Sequence, residues 1–251
     1  MNFDLSSLQP YQWALGILSG LVIGASKTGL NGLNLIFVPL NAIAFGSRAS
    51  TGIILPMLCV GDILAVAWYR RHAQIAYLVR LLPWTLAGIG LGTFVGASLA
   101  ESAFKLLLGS IIAALLLVMI WQDRRGKEAL YPRSWWFSAA AGLLAGFTTM
   151  VGNAAGAVMS LYLLSMRLPK NAFIGTAAWF FLAVNLTKVP LQLFVWRNIG
   201  LESLAFDALM VPAIILGAFV GLTLAGKIPE RAYRAFILSM TALAALLMAL
   251  A

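Results

Sequence analysis

The run Ala172-Phe-Ile-Gly-Thr-Ala-Ala-Trp-Phe-Phe-Leu-Ala-Val-Asn-Leu-Thr-Lys-Val-Pro-Leu-Gln-Leu-Phe-Val-Trp196 is 25 residues long and carries one charge. A helix crossing the hydrocarbon core of a bilayer needs about 20 predominantly apolar residues. Similar runs lie on either side, with short polar breaks between them: Tyr11 to Ser26, Leu30 to Phe45, Ala49 to Tyr69, Ile75 to Ala100 and Phe104 to Trp121, then Trp135 to Phe147, Ala154 to Met166, Leu209 to Gly226 and Ala232 to Ala251. The whole chain is 62% hydrophobic and 10% charged, with a mean hydropathy of +0.94. That is more apolar surface than a globular core of 251 residues buries, so lipid must be its solvent. Period-two alternation is absent and Leu, Ala, Gly and Met dominate, so the expected fold is an all-α polytopic integral membrane protein, not a barrel.

Charge fixes an orientation. The net charge of +9 is dispersed in the breaks between apolar runs, unlike the single basic face of a nucleic-acid binder, and no nucleic-acid partner is expected. If ten segments alternate sides, thirteen Lys and Arg residues fall on one side and Arg48, Lys105 and Arg197 on the other. The positive-inside rule then places the Arg70 to Arg80 loop in the cytoplasm and both termini outside, which for a cell inner membrane means the periplasm. Asp4 near the start and Lys27 after the first apolar run argue against a cleaved signal peptide. The lone Cys59 reads as a packing residue.

The chain also repeats itself. At offsets of 122 to 129 residues Trp13 meets Trp135, Gly20 and Gly24 meet Gly142 and Gly146, and Gly29 meets Gly152. Arg48 then meets Lys170, Gly52 meets Gly175, Asp62 meets Asn185, Gly92 and Gly96 meet Gly217 and Gly221, and Glu101 to Lys105 meets Glu230 to Arg234. This predicts a first repeat over 1–121, a cytoplasmic linker over 122–134 and a second repeat over 135–251, forming one transmembrane domain. Five segments per half is an odd number, so the second half enters the membrane in the opposite sense. Such inverted repeats are typical of secondary transporters, whose sites lie near the midplane between repeats. The first two segments of each half are short, since 13 residues of helix rise only about 20 Å against a core of about 30 Å. They are expected to be re-entrant or broken, or else to span a thin bilayer.

Chemistry concentrates in a few places. Gly24-Ala-Ser-Lys-Thr-Gly-Leu-Asn-Gly32 joins glycines that would open the backbone to an ammonium, a hydroxyl and a carboxamide, a set suited to an anion. Its counterpart Thr148-Thr-Met-Val-Gly-Asn-Ala-Ala-Gly156 is uncharged. The alternative for the first is an ordinary cytoplasmic loop whose lysine obeys the positive-inside rule. Asp62 and Lys188 lie inside apolar runs, where each charge costs about 2.5–3.5 kcal/mol on insertion scales. A buried ion pair would explain them structurally; proton or cation coupling at Asp62 and anion attraction at Lys188 would explain them functionally. The glycines at spacing four, Gly16/Gly20/Gly24 and Gly88/Gly92/Gly96, read as helix contacts.

Gly20-Leu-Val-Ile-Gly-Ala-Ser-Lys-Thr-Gly29, Leu55-Pro-Met-Leu-Cys-Val-Gly-Asp62 and Leu168-Pro-Lys170 resemble the TauE/SafE family of sulfite and organosulfonate exporters, as do Gly175-Thr-Ala-Ala-Trp179 and Asn185-Leu-Thr-Lys-Val-Pro190. The glycine-rich motifs depart from the family's commoner run of three consecutive glycines. The resemblance implies transport of small sulfur-containing anions; no cofactor is expected.

The expected substrate-binding residues are Lys27, Thr28, Gly29, Asn31, Thr149, Gly152, Asn153, Asn185 and Lys188, with Asp62 as the coupling residue. The one histidine, His72, sits in a basic loop and the carboxylates are scattered, with only Asp62 well inside a segment, so neither a metal site nor a hydrolytic constellation is expected. A passive anion channel fits the same features, an assembly subunit would leave the glycine-rich stretches and buried charges without a use, and a homo-oligomer is compatible with the sequence.

Overall fold

The computed structural model describes residues 4–30, 44–100, 135–166 and 168–229 continuously, with positions 33, 38, 41–42, 102–103, 106–107, 110, 232–233, 235–236 and 239. Most of the expected second, fifth and tenth segments, the linker 122–134 and Asn31 lie outside the described residues. All regular structure among the described residues is helical. After a 3-10 turn at Leu5–Ser7 come α1 (Pro10–Thr28), α2 (Ser47–Ile53), α3 (Leu55–Tyr69), a 3-10 turn (Arg70–His72) and α4 (Ile75–Ser98). Then follow α5 (Trp135–Gly152), α6 (Ala155–Ser165), α7 (Lys170–Pro190), a π-helical turn (Leu191–Val195) and α8 (Leu201–Lys227).

Among the described residues three helices, Ile75–Ser98, Lys170–Val195 and Leu201–Lys227, are long and apolar enough to cross a membrane. The pair Ser47–Ile53 and Leu55–His72, bent by 41°, makes a fourth if taken as one span. Pro56 opens α3, and its missing N–H and fixed φ account for the break at Ile54. Large apolar side chains such as Phe94 on α4 and Leu209, Leu216 and Phe219 on α8 stand exposed, as lipid-facing residues do.

Glycines decide which helices touch. A Cβ on Gly24 of α1 would run into the Ile214 carbonyl oxygen of α8, and one on Gly146 of α5 into the Thr85 carbonyl oxygen of α4. Gly20 lies against Met210 and Ala213, and Gly142 against Leu81 and Trp84. In return Gly217 meets Leu21 and Gly221 meets Ala25, while Gly88 meets Leu143 and Gly92 meets Phe147. Each of these contacts of α1 with α8 thus has a counterpart of α5 with α4, at offsets of 122 on the first helix and 129 on the second. On this packing Gly88 and Gly92, not Gly92 and Gly96, answer to Gly217 and Gly221. The prolines inside the fourth helices, Pro83 and Pro212, keep the same offset. Both pairs run parallel, and with no hydrophobic drive between helices in lipid such close backbone approach supplies the attraction.

The third helices pack antiparallel. Gly175 of α7 lies against Tyr69, Asn185 bonds Asp62, and Gly52 lies against Asn198. This ladder is centred on Asp62 and Asn185, the two positions that the sequence repeat pairs.

Two expectations about the leading segments change. The glycine-rich stretch after Gly24 stays helical to Thr28, because the Thr28 hydroxyl returns to the Gly24 carbonyl at 2.9 Å and the glycines serve helix contact instead of an opened backbone. Likewise α5 continues past Phe147 to Gly152, with the Thr148 hydroxyl bonded to the Leu144 carbonyl at 2.8 Å. The break comes at Asn153, whose left-handed φ of 54° is a conformation asparagine tolerates at a helix end. Beyond it α6 folds back along α5, placing the Tyr162 hydroxyl 3.1 Å from Ser138 Oγ. Its 11 residues rise only about 16 Å, roughly half the hydrocarbon core. In the first half the chain also returns beside α1, where Asn41 Nδ2 donates to Ser19 Oγ at 2.9 Å and Gln12 Nε2 to the Ala44 carbonyl at 2.8 Å.

Valine at Gly24 or Gly146 should cost on the order of 1–3 kcal/mol or more by overpacking, whereas valine at Gly90, with nothing within 4 Å of its Cβ position, should cost only helix propensity. Thermal unfolding of the purified variants in detergent checks this; equal losses at Gly90 and Gly146 would contradict the packing.

Candidate functional site

Lys27 ends α1 and is 5% exposed, while Asp62 at the middle of α3 is fully buried. Their side chains meet with Lys27 Nζ 2.7 Å from Asp62 Oδ1. The second carboxylate oxygen accepts from Asn185 Nδ2 of α7 at 2.6 Å. The ammonium also stands 4.2 Å from the centre of the Phe181 ring, whose negative face favours a cation. The ordinary cytoplasmic-loop reading of Lys27 therefore fails: the residue is inside the protein and paired. Gly61 allows the approach, since a Cβ there would lie 3.1 Å from Lys27 Cγ.

Lys188, one turn after Asn185, is also fully buried. It makes no ion pair among the described residues. Its Nζ donates to Asn153 Oδ1, to Thr149 Oγ1 at 3.2 Å and to Asn185 Oδ1 at 3.4 Å. Two of those acceptors sit at the end of α5 and its break, so the left-handed turn at Asn153 is what aims a carboxamide at this lysine. The same carboxamide donates its Nδ2 to the Thr51 carbonyl of α2 at 3.2 Å. One connected network thus runs from α1 through α3 and α7 to α5.

Beside it lies a cavity. Asn41, Ser47, Ser50, Thr51 and Asn153 give its polar wall, and Ile23, Ile54 and Leu58 much of its apolar one. Gly152 lines it too, so residues on both sides of the linker contribute. The polar wall is made of uncharged hydroxyls and carboxamides; the Ser50 and Thr51 hydroxyls donate to the Ser47 and Arg48 carbonyls at 3.1 and 2.7 Å and would have to turn to donate to an oxyanion. Behind Thr51, Gln192 of the π-helical turn donates its Nε2 to the Thr51 hydroxyl at 3.1 Å and accepts from Asn198 Nδ2 at 3.0 Å. The extra residue of a π turn swings Gln192 inward, a common device near functional sites.

Of the residues singled out from the sequence, Lys27, Asp62, Asn185, Lys188, Thr149 and Asn153 form this network and Gly152 lines the cavity. Thr28 and Gly29 are not brought into it: the Thr28 hydroxyl donates to the Ala218 carbonyl at 2.8 Å, and Gly29 lies against Gly221 and Ala225 in the contact of α1 with α8. Asn31 lies outside the described residues. Sequence reasoning passed over Asn41, Ser47, Ser50, Thr51 and Gln192. Asn41 and Gln192 carried a usable signal, as strongly polar residues inside apolar runs. Asp207 was also passed over, because α8 begins eight residues before the apolar run at Leu209; it is buried, and neither carboxylate oxygen has a hydrogen-bond partner among the described residues.

A bundle of apolar helices with broken leading segments and a buried charged network between its halves is a membrane permease by class. Residues 15–248 match the family model Sulfite exporter TauE/SafE, and the chain belongs to that family of membrane exporters. No curated protein and no solved structure matches it.

Removing one member of the buried pair should be far worse than removing both. Lys27→Met or Asp62→Asn alone should lower stability by about 3–5 kcal/mol, because each strands a buried charge. The double variant should lose much less than the sum. A double-mutant cycle in detergent unfolding measures this, and additive losses would mean that the two side chains do not interact in solution.

Proposed function

We propose that the protein is a secondary carrier that moves sulfite or another small sulfur-containing oxyanion or organosulfonate across the cell inner membrane. The observation that carries this reading is the buried network with its adjoining cavity, to which residues 23–62 and 149–192 both contribute. Cavity hydroxyls and carboxamides would bind the oxygens, and Lys188, behind Asn153, would supply charge. Asp62 would couple transport to a proton, since changing its protonation alters what Lys27 must pair with. The paired contacts of α1 with α8 and α5 with α4, and the antiparallel third helices, support two inverted repeats of five segments. Their common axis would pass near Asp62 and Asn185. Thr149, Gly152, Asn153, Asn185 and Lys188 are assigned to substrate, Lys27 and Asp62 to coupling, and Thr28 and Gly29 to the helix contact that positions them. Both termini would lie in the periplasm.

A passive channel would use the same cavity, and flux separates the two. Reconstituted in liposomes, the protein should move sulfite with saturation and in response to a pH gradient, and Lys188→Met should lower the rate at least tenfold per folded protein, the folded fraction being read by size-exclusion chromatography in detergent. Flux that rises linearly with concentration and ignores the pH gradient would identify a channel instead. Full activity in Lys188→Met would remove that residue from the substrate path.

A further inference from the structure

The two buried lysines are not electrically equivalent. Lys27 has a carboxylate counter-ion at 2.7 Å, so its charge is already balanced. Among the described residues Lys188 meets neutral acceptors alone: the carboxamide oxygens of Asn153 and Asn185 and the hydroxyl of Thr149. Three acceptors are the complement of the three N–H bonds of an ammonium. They solvate its charge without cancelling it, and in an interior of low dielectric a lone charge acts more strongly than it would in water. Two ammonium groups and one carboxylate leave the network with a single net positive charge.

Resting on the anion-transport reading above, we propose that Lys188 alone carries the charge that selects substrate, that the site accepts monoanions and rejects dianions while Asp62 is ionised, and that protonation of Asp62 admits a dianion. Asn153 is the positioning residue. Its carboxamide oxygen stands on Lys188 where a sulfonate oxygen would stand, and the same residue lines the cavity from which an anion would arrive. It sits at the left-handed break between α5 and α6, where backbone rotation can withdraw it. Ile23, Ile54 and Leu58 give the cavity an apolar wall beside these donors, which fits an anionic head with a short apolar tail.

The switch depends on which groups face Asp62. Lys27 approaches it from α1, and Asn185 with Lys188 from α7. On α3 itself Cys59 lies one turn away, and α8, which packs against α3, carries the buried Asp207. With Asp62 neutral, Lys27 loses its counter-ion and the network holds two uncompensated charges. A dianion then meets two cations instead of one. While Lys188 stays protonated the sign is fixed: acid admits the dianion, and base excludes it.

Methanesulfonate and sulfate test this directly, because the first stays a monoanion and the second a dianion between mildly acidic and mildly basic pH. Any pH dependence then belongs to the protein. Binding to the purified full-length chain is read by calorimetry. The wild type should bind methanesulfonate at least tenfold more tightly than sulfate at basic pH, and the preference should shrink as pH falls. Asp207→Asn should keep that pH dependence. Asp62→Asn should bind sulfate at basic pH, and Lys188→Met should bind neither anion. Sulfate equal to or tighter than methanesulfonate in the wild type at basic pH would overturn the charge assignment and leave the anion-carrier reading standing. So would a pH dependence that vanishes in Asp207→Asn. The wild-type titration alone decides if Asp62→Asn does not fold. Failure of the wild type to bind any small anion would sink the transport reading itself.

Discussion

Three charges buried in apolar helices set the terms for the rest of the molecule. An ammonium or carboxylate held away from water is costly unless it is paired or hydrogen-bonded. Among the described residues Lys27, Asp62 and Lys188 are so satisfied and the buried Asp207 is not, so the first three dictate what must stand around them. Asp62 takes Lys27 on one oxygen and Asn185 on the other. Lys188 takes the end of α5, which must therefore stop at Asn153 and turn there. The helices that deliver these groups can reach them only because glycines let α1 lie on α8 and α5 on α4 at backbone contact. The small residues and the buried charges are two parts of one arrangement: close packing places the helix ends, and the helix ends satisfy the charges.

The same arrangement explains why a cavity with one polar wall can persist inside a chain this apolar. Broken helices leave carbonyl and N–H groups without intrahelical partners, and at membrane depth those groups must be buried in protein or face a cavity. Here the return segments after α1 and α5 line such a space with Asn41 and Asn153, and the bend at Ile54 brings Ser50 and Thr51 to it. The π-helical turn after Pro190 adds Gln192 behind Thr51. Each irregularity brings a polar side chain to that space or to its edge.

Much of this was legible in the sequence, and for physical reasons. Charges inside apolar runs are conspicuous because they are costly, so Asp62 and Lys188 stood out. The repeat paired Asp62 with Asn185, and those two side chains do touch. The glycine spacing foretold helix contacts, though not which helices meet. What sequence could not give was the continuation of α1 through its glycines, which turned Thr28 and Gly29 into packing residues, or the early start of α8, which buried Asp207. Both depend on a neighbouring helix that stabilises local structure against weak intrinsic propensity. The neutral hydroxyls of the cavity carry little signal on their own, since serine and threonine inside apolar helices usually bond back to their own backbone.

The account's central claim is that an anion enters the cavity between the two halves. With Cys59 replaced by alanine, a single cysteine at Ser50 should react with a small thiol reagent, and saturating methanesulfonate should slow that reaction several-fold while leaving a cysteine at exposed Ile75 unaffected. A Ser50→Cys labelling rate that no anion changes would contradict the account, because a ligand held on that wall cannot leave the position equally open.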